Sequence, residues 1–181
     1  MAVTFTNIVV GQAEFYLGAT LGTIANVGAT QEGVNIGWEP DMVDIEVDQF
    51  GDAARVVQSM TKVTVTTTLA EATLTNLGHA WGYATGVGAA EPGLQTGDTD
   101  FNIGLHGVYP EEKVIQFVGN APGSTATTTL TRTYTCNRAI QYSASEHSLQ
   151  RAENSSFPTE FRILPNPANT GNEYGTILDQ T

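Results

Sequence analysis

Apolar and polar residues alternate along several short runs of this chain, as they do in β-strands with one buried face. In the run Lys62–Thr68, Val63, Val65 and Thr67 fall on one face and the remaining residues on the other. Lys62 is a basic residue in an otherwise acidic part of the chain, and we expect it to pair with a carboxylate on the opposite strand of a hairpin. Similar patterns predict strands at Ile8–Leu17, Val34–Trp38, 42–49, Lys62–Thr68, Lys113–Gly119, Thr127–Cys136, Arg138–Ala144 and Phe157–Leu164.

One segment has a helical pattern instead. Thr68 and Glu71 are spaced as a capping box, in which each side chain satisfies a free amide hydrogen of the first turn. Gly82 suits the position that follows a helix. We therefore predict one helix at about 69–81, with an apolar stripe formed by Ala70, Leu74, Leu77 and Trp81.

Many strands and one helix predict a mainly β fold, an antiparallel β-sandwich or barrel with one flanking α-helix. A chain of 181 residues is expected to form a single domain, 1–181. Residues 42–49 and 62–68 are predicted to pair as a hairpin, with a projecting tip at 51–61 that is too long for a tight turn. The Gly-rich, aperiodic stretch at about 82–107 is predicted to be a long loop.

The predicted strand at 42–49 has one apolar and one acidic face. Asp44, Glu46 and Asp48 alternate with valine and isoleucine, so three like charges would stack on one side. Such residues lie roughly 6.5–7 Å apart, too far to enclose one ion without other ligands. Three interpretations remain open from the residues: a solvated sheet face, a cation site, or an acidic wall in a shared cavity.

Charge and motifs narrow the functional classes. With 19 acidic and 7 basic residues, the net charge is −12. Proteins that bind nucleic acid instead carry clustered basic residues. The single Cys136 excludes an intramolecular disulfide framework, and the sequence shows no signal peptide and no apolar run of membrane-spanning length. A soluble protein made in a reducing cytoplasm is expected.

No arrangement of residues predicts catalysis or a cofactor. The three histidines, His79, His106 and His147, lie in no ligand or nucleophile motif, and residues 98–109 lack the glycine and glutamate of a calcium loop. We expect neither an enzyme nor a cofactor or metal site. The aromatic residues predicted to lie in the core are Trp38, Trp81 and Phe117. Three tyrosines suit either the core or an interface: Tyr16, Tyr142 and Tyr174.

The order of these segments resembles the major tail (tail tube) proteins of long-tailed bacteriophages. The resemblance covers almost the whole chain. It consists of a set of sequence patterns and does not include a specific fingerprint motif. The segments that carry it are Gly11–Gly18, Thr30–Ile36, Val43–Gly51, Thr66–Leu74, Phe157–Arg162 and Gly171–Ile177.

The resemblance implies a β-sandwich flanked by a helix, six copies of which close into a ring with a continuous inner barrel. Stacked rings would form a tube in the virion tail, assembled in the host cytoplasm. The implied partners are further copies of the chain, the tape-measure protein in the lumen, tail completion proteins, and viral DNA that passes without specific binding. Under this hypothesis Asp44, Glu46 and Asp48 line the lumen, and Arg55, Val56 and Val57 contact the next ring.

Two alternatives stay open. Inner tube proteins of contractile tails and of related injection machines share this fold. A monomeric β-sandwich module that binds a metal ion or a carbohydrate is the alternative from another functional class, and it predicts a compact single particle with a cleft.

Overall fold

A computed structural model describes residues 11–48, 51–82, 111–125, 128–147 and 155–180. Within these residues the chain is mainly β, as predicted, with one short helix. The strands are β1 (Glu14–Gly18), β2 (Ala25–Asn26), β3 (Thr30–Glu46), β4 (Ala53–Leu69), β5 (Lys113–Asn120), β6 (Thr131–Gln141), β7 (Phe157–Ile163) and β8 (Gly175–Asp179), and the helix is α1 (Leu74–Ala80).

All the strands belong to one antiparallel sheet, in the order β2-β1-β5-β6-β7-β4-β3. Strand β6 carries two partners on the edge opposite β5. Ala139–Gln141 pair with β7, and Arg132–Cys136 pair with β8. The strands β7 and β8 therefore follow one another along the same edge of β6.

The sheet curls over its own apolar face. Phe15 on β1 and Phe161 on β7 are three strands apart in the sheet order, which would separate them by roughly 14 Å if the sheet were flat. Their ring centroids are 6.3 Å apart instead. This curvature encloses a continuous core and is consistent with the predicted sandwich. The core residues are Phe15, Leu17, Val27, Val63, Val65, Leu69, Ala80, Ile115, Phe117, Ala139, Phe157, Phe161 and Ile163.

Strand β4 shows why alternation predicts a strand well where one face is buried. Val63, Val65 and Leu69 are buried in the core, and Thr67 is buried beside them. The Thr67 hydroxyl donates a hydrogen bond of 2.9 Å to the Gly33 carbonyl, so its burial leaves no unpaired polar group. The face predicted for Lys62–Thr68 is confirmed.

The helix begins later than predicted. Thr68 and Leu69 belong to β4, and α1 begins at Leu74 with Thr73 as its N-cap, whose hydroxyl accepts from the Asn76 amide at 3.1 Å. Leu69 is fully buried in the sheet, which outweighs the local capping signal. The end is as predicted, since Gly82 follows the helix with φ +73°.

Two predicted strand breaks are also wrong. Pro40 lies inside β3, which runs from Thr30 to Glu46, and β6 is continuous through Asn137. Proline is tolerated in β3 because this strand is at the edge of the sheet, where one side needs no amide donor. The predicted loop at 82–107 lies outside the described residues except for Gly82, as does the part of the first predicted strand at 8–10.

Candidate assembly surface

The distal half of the β3–β4 hairpin extends beyond the rest of the sheet. Strand β7 pairs with β4 only along Val63–Leu69. Before this segment, β3 and β4 pair only with each other in the part of the chain that the structure describes. We call Asp41–Glu46 and Ala53–Met60 together the arm.

The arm corrects the predicted hairpin. Residues 42–46 do not pair with 62–68; Val43 lies opposite Val57, and Lys62 lies opposite Glu39. The predicted tip at 51–61 is strand from Ala53 onwards. Each of two register shifts within the arm adds one extra residue to β4, and these bulges hide the alternation of the strand in the sequence.

The cross-strand register assigns each residue of the arm to a face, because directly opposed residues point the same way. Val43 and Ile45 face the same side as Val57 and Arg55, and we call this side the apolar face. The other side holds acidic and mixed residues. This acidic face consists of Met42, Asp44, Glu46, Ala53, Val56 and Gln58.

Both faces of the arm expose large apolar side chains. On the apolar face, Val43 is 49% exposed, Ile45 45% and Val57 38%. Val56 on the acidic face is 57% exposed. A two-stranded ribbon with no core of its own is marginal in water, and contiguous exposed apolar surface is typical of binding sites. The arm is therefore the best candidate for a contact surface.

The three predicted lumen residues do not form one strand row. Asp44 and Glu46 lie on the acidic face, whereas Asp48 lies in a turn after β3 ends. All three are exposed to solvent in the single chain. Across the described ranges, no group of three His, Cys, Asp or Glu residues is placed to hold a metal ion.

The predicted inter-ring residues are divided between the two faces. Arg55 and Val57 lie on the apolar face and Val56 lies on the acidic face. Arg55 forms no ion pair with another described residue, unlike Arg132 with Asp179 and Arg138 with Glu112. A guanidinium at the edge of an apolar surface can pair with a carboxylate on another molecule.

Three strand edges near the arm have no partner among the described residues. They are the outer edge of β3, the edge of β4 along the arm, and the outer edge of β8. A groove of about 430 Å³ runs beside the first of these edges, between Val34 and Ile36 on β3 and the stacked rings of Phe117 and Tyr134. Unpaired edges favour pairing with another chain.

Aromatic and charged contacts hold the root of the arm. Trp38 packs edge-on against Tyr174, with ring centroids 6.2 Å apart, and the Tyr174 hydroxyl is 3.5 Å from the Thr61 carbonyl. Trp38 is nevertheless 60% exposed, so its prediction as a core aromatic is wrong, whereas Phe117 is buried. Lys62 lies 3.7 Å from Glu39, which confirms the predicted cross-hairpin pair. Both groups are exposed, so the pair adds little stability.

A buried polar contact, which the sequence did not predict, joins α1 to β5. The Lys113 ammonium is 3.1 Å from His79 Nδ1 and 3.1 Å from a Glu111 carboxylate oxygen. Burial and the neighbouring ammonium lower the pKa of His79 to about 4. His79 is therefore neutral at pH 7 and accepts a hydrogen bond from Lys113. Because both side chains are buried, the contact between His79 and Lys113 has a structural role.

Cys136, Ser155 and His147 are further side chains of types that take part in catalysis. Burial raises the pKa of Cys136 to about 11, so its thiolate is scarce at neutral pH. Ser155 Oγ lies 3.3 Å from His147 Nδ1, a proximity that no sequence motif had indicated, and the His147 ring packs against Phe157.

Among the described residues, no helix is long and apolar enough to cross a membrane.

Comparison with known proteins adds no assignment to these observations. The sequence matches no protein-family model and no curated protein.

Proposed function

We propose that this chain is the repeating subunit of a bacteriophage tail tube, in which hexameric rings stack into a conduit for DNA. The observation that carries the proposal is the arm, a two-stranded ribbon with exposed apolar residues on both faces and unpaired edges. Such an element gains most of its stability from contacts with other copies of the chain. The resemblance of the sequence to tail tube proteins supports the same conclusion.

The apolar face supplies a driving force for association. Complete burial of an exposed Val or Ile side chain contributes about 1.5–3 kcal/mol. Val43, Ile45 and Val57 are already partly covered, so each gains about half of that in a contact. Three such residues per copy favour association by a few kcal/mol before the cost of ordering is subtracted.

The free edges explain how copies join. The outer edge of β3 differs from the edges of β8 and of the arm's β4, so pairing between them is head-to-tail. Head-to-tail contacts close into a ring when the rotation between copies allows it. Closure removes the exposed edges and joins the sheets into one barrel.

The acidic face suits the wall of a conduit. In the proposed ring, Asp44 and Glu46 of every copy face the lumen, with Asp48 beside them, and repel DNA that approaches. Screening limits this repulsion to about 10 Å at 0.1 M salt, so it acts where DNA nears the wall. The apolar face, with Arg55, then contacts a neighbouring copy. The tape-measure protein fills the lumen before ejection, and tail completion proteins cap the tube.

Polar substitutions on the apolar face test the proposal. Changing Val43, Ile45 and Val57 to Thr keeps β-branched side chains but removes the apolar surface, so rings and tubes should be lost while the fold is kept. Leu21→Thr is the matched control, because Leu21 is 55% exposed outside the arm. Sedimentation velocity measures assembly, and circular dichroism checks the fold. Normal assembly by the triple variant would contradict the proposal.

A contractile-tail inner tube would assemble in the same way, because that class shares the fold implied by the resemblance. A sheath gene beside the coding sequence distinguishes it from the tube of a flexible tail. A monomeric binding module would remain a single particle in every sample of the sedimentation experiment.

A further inference from the structure

Two exposed methionines lie at the root of the arm. Met42 is 52% exposed and Met60 is 57% exposed. They occupy successive rungs of the ladder, since Met60 lies opposite Asp41 and Met42 lies opposite Gln58. Consecutive residues of β3 point to opposite sides, so the two thioethers lie on different faces of the arm. Met60 shares the side of Val43, and Met42 belongs to the acidic face.

We propose that oxidation of Met60, on the apolar face, controls association of the arm with a second copy of the chain. The inference rests on the proposed function, because it requires that the apolar face of the arm becomes buried on assembly. The oxidant is a peroxide. The sulfur lone pair attacks one peroxide oxygen and the O–O bond breaks. Methionine becomes the sulfoxide by losing two electrons, and the second oxygen leaves as water.

Oxidation changes the arm where contact requires it to be apolar. A sulfoxide is a strong hydrogen-bond acceptor, and its burial without a donor is unfavourable. Met60 lies on the face that contacts a neighbouring copy, whereas Met42 lies on the face assigned to the lumen. We expect oxidation of Met60 to weaken association by about tenfold or more. In assembled rings Met60 is covered, so it should react more slowly than in the free chain, whereas Met42 should react at a similar rate in both.

The other sulfur-containing residues of the chain interfere little with a measurement of oxidation at the arm. Cys136 has a raised pKa and reacts slowly, because the thiolate is its nucleophilic form. Met1 is the only other methionine in the sequence. Leucine has nearly the volume of methionine and lacks the sulfur, so a Met42→Leu/Met60→Leu variant keeps the apolar surface and cannot be oxidised there.

The experiment compares wild type and this double variant with and without hydrogen peroxide. Peptide mass spectrometry measures oxidation at each methionine, sedimentation velocity measures assembly, and circular dichroism checks the fold. In treated wild type, the apparent association constant should fall about tenfold. Treatment with the methionine sulfoxide reductases for both epimers should restore it. The double variant should assemble equally with and without peroxide.

Two results would overturn the inference: treated wild type that assembles as well as untreated protein, or a double variant that loses assembly to the same extent as wild type. A failure of untreated wild type to assemble is a different result. It would refute the proposed function itself, and with it the need for Met60 to be apolar.

Discussion

At the scale of single residues, contacts between neighbouring strands were easier to predict than contacts between distant segments. The pairing of Lys62 with a carboxylate followed from its place in an acidic hairpin, and Glu39 proves to be the partner. The contact of His79 with Lys113 joins a helix to a strand 34 residues away, and no spacing in the sequence indicates it. Trp38 was assigned to the core by its residue type, whereas its position on an edge strand leaves it exposed.

His79 should make the stability of the fold depend on pH. Its pKa is about 4 in the folded chain and about 6.5 when unfolded, so the unfolded state binds the proton first as pH falls. Its stabilising contribution is complete above pH 6.5 and declines towards pH 4. From about pH 7.5 to about pH 5, this residue should cost about 2 kcal/mol of the free energy of unfolding.

Urea unfolding of His79→Gln at the two pH values measures this effect. The variant keeps an acceptor for Lys113 but cannot titrate, so its stability should fall by about 2 kcal/mol less than that of wild type. His147→Gln serves as the control and should retain the wild-type decrease. An equal decrease in His79→Gln and wild type would show that His79 is not the responsible group.

At the scale of elements, the sequence predicted strands where burial enforces alternation. Val63, Val65 and Leu69 face the core, and their segment was found with the correct faces. In the arm neither face has a core to cover it, and bulges at two positions interrupt the period, so residues from Ala53 onwards resembled a loop. The capping box failed for the opposite reason, because tertiary burial of Leu69 holds this residue in β4.

The acidic face of the arm has its own test. Changing Asp44, Glu46 and Asp48 together to Asn, Gln and Asn removes their charge with little change in shape. If these residues line the conduit, the virion should assemble normally but release its DNA more slowly, because DNA adheres to the wall. Fluorescence measurements of ejection from purified virions give the rate.

The matched control neutralises Glu14, Glu32 and Glu71, which are exposed carboxylates outside the arm. This control should eject DNA at the wild-type rate. An unchanged rate in the Asp44/Glu46/Asp48 variant, in an intact virion, would remove these residues from the lumen.

At the scale of the whole molecule, the class of fold followed from the sequence, whereas the arrangement of strands did not. Alternation predicts that strands exist but not which edges meet, and the placement of β7 and β8 end to end along β6 depends on pairs that are 20 to 47 residues apart. Within the described ranges, this arrangement leaves the arm without a third strand. The exposed arm is thus a consequence of topology.

Electron microscopy of the purified, unmodified chain under negative stain tests the central claim most directly. The account predicts rings with sixfold symmetry, alone or stacked into tubes with an open lumen, and the arm at the contacts between copies. A uniform population of single particles of 19.2 kDa at concentrations up to the millimolar range would contradict it.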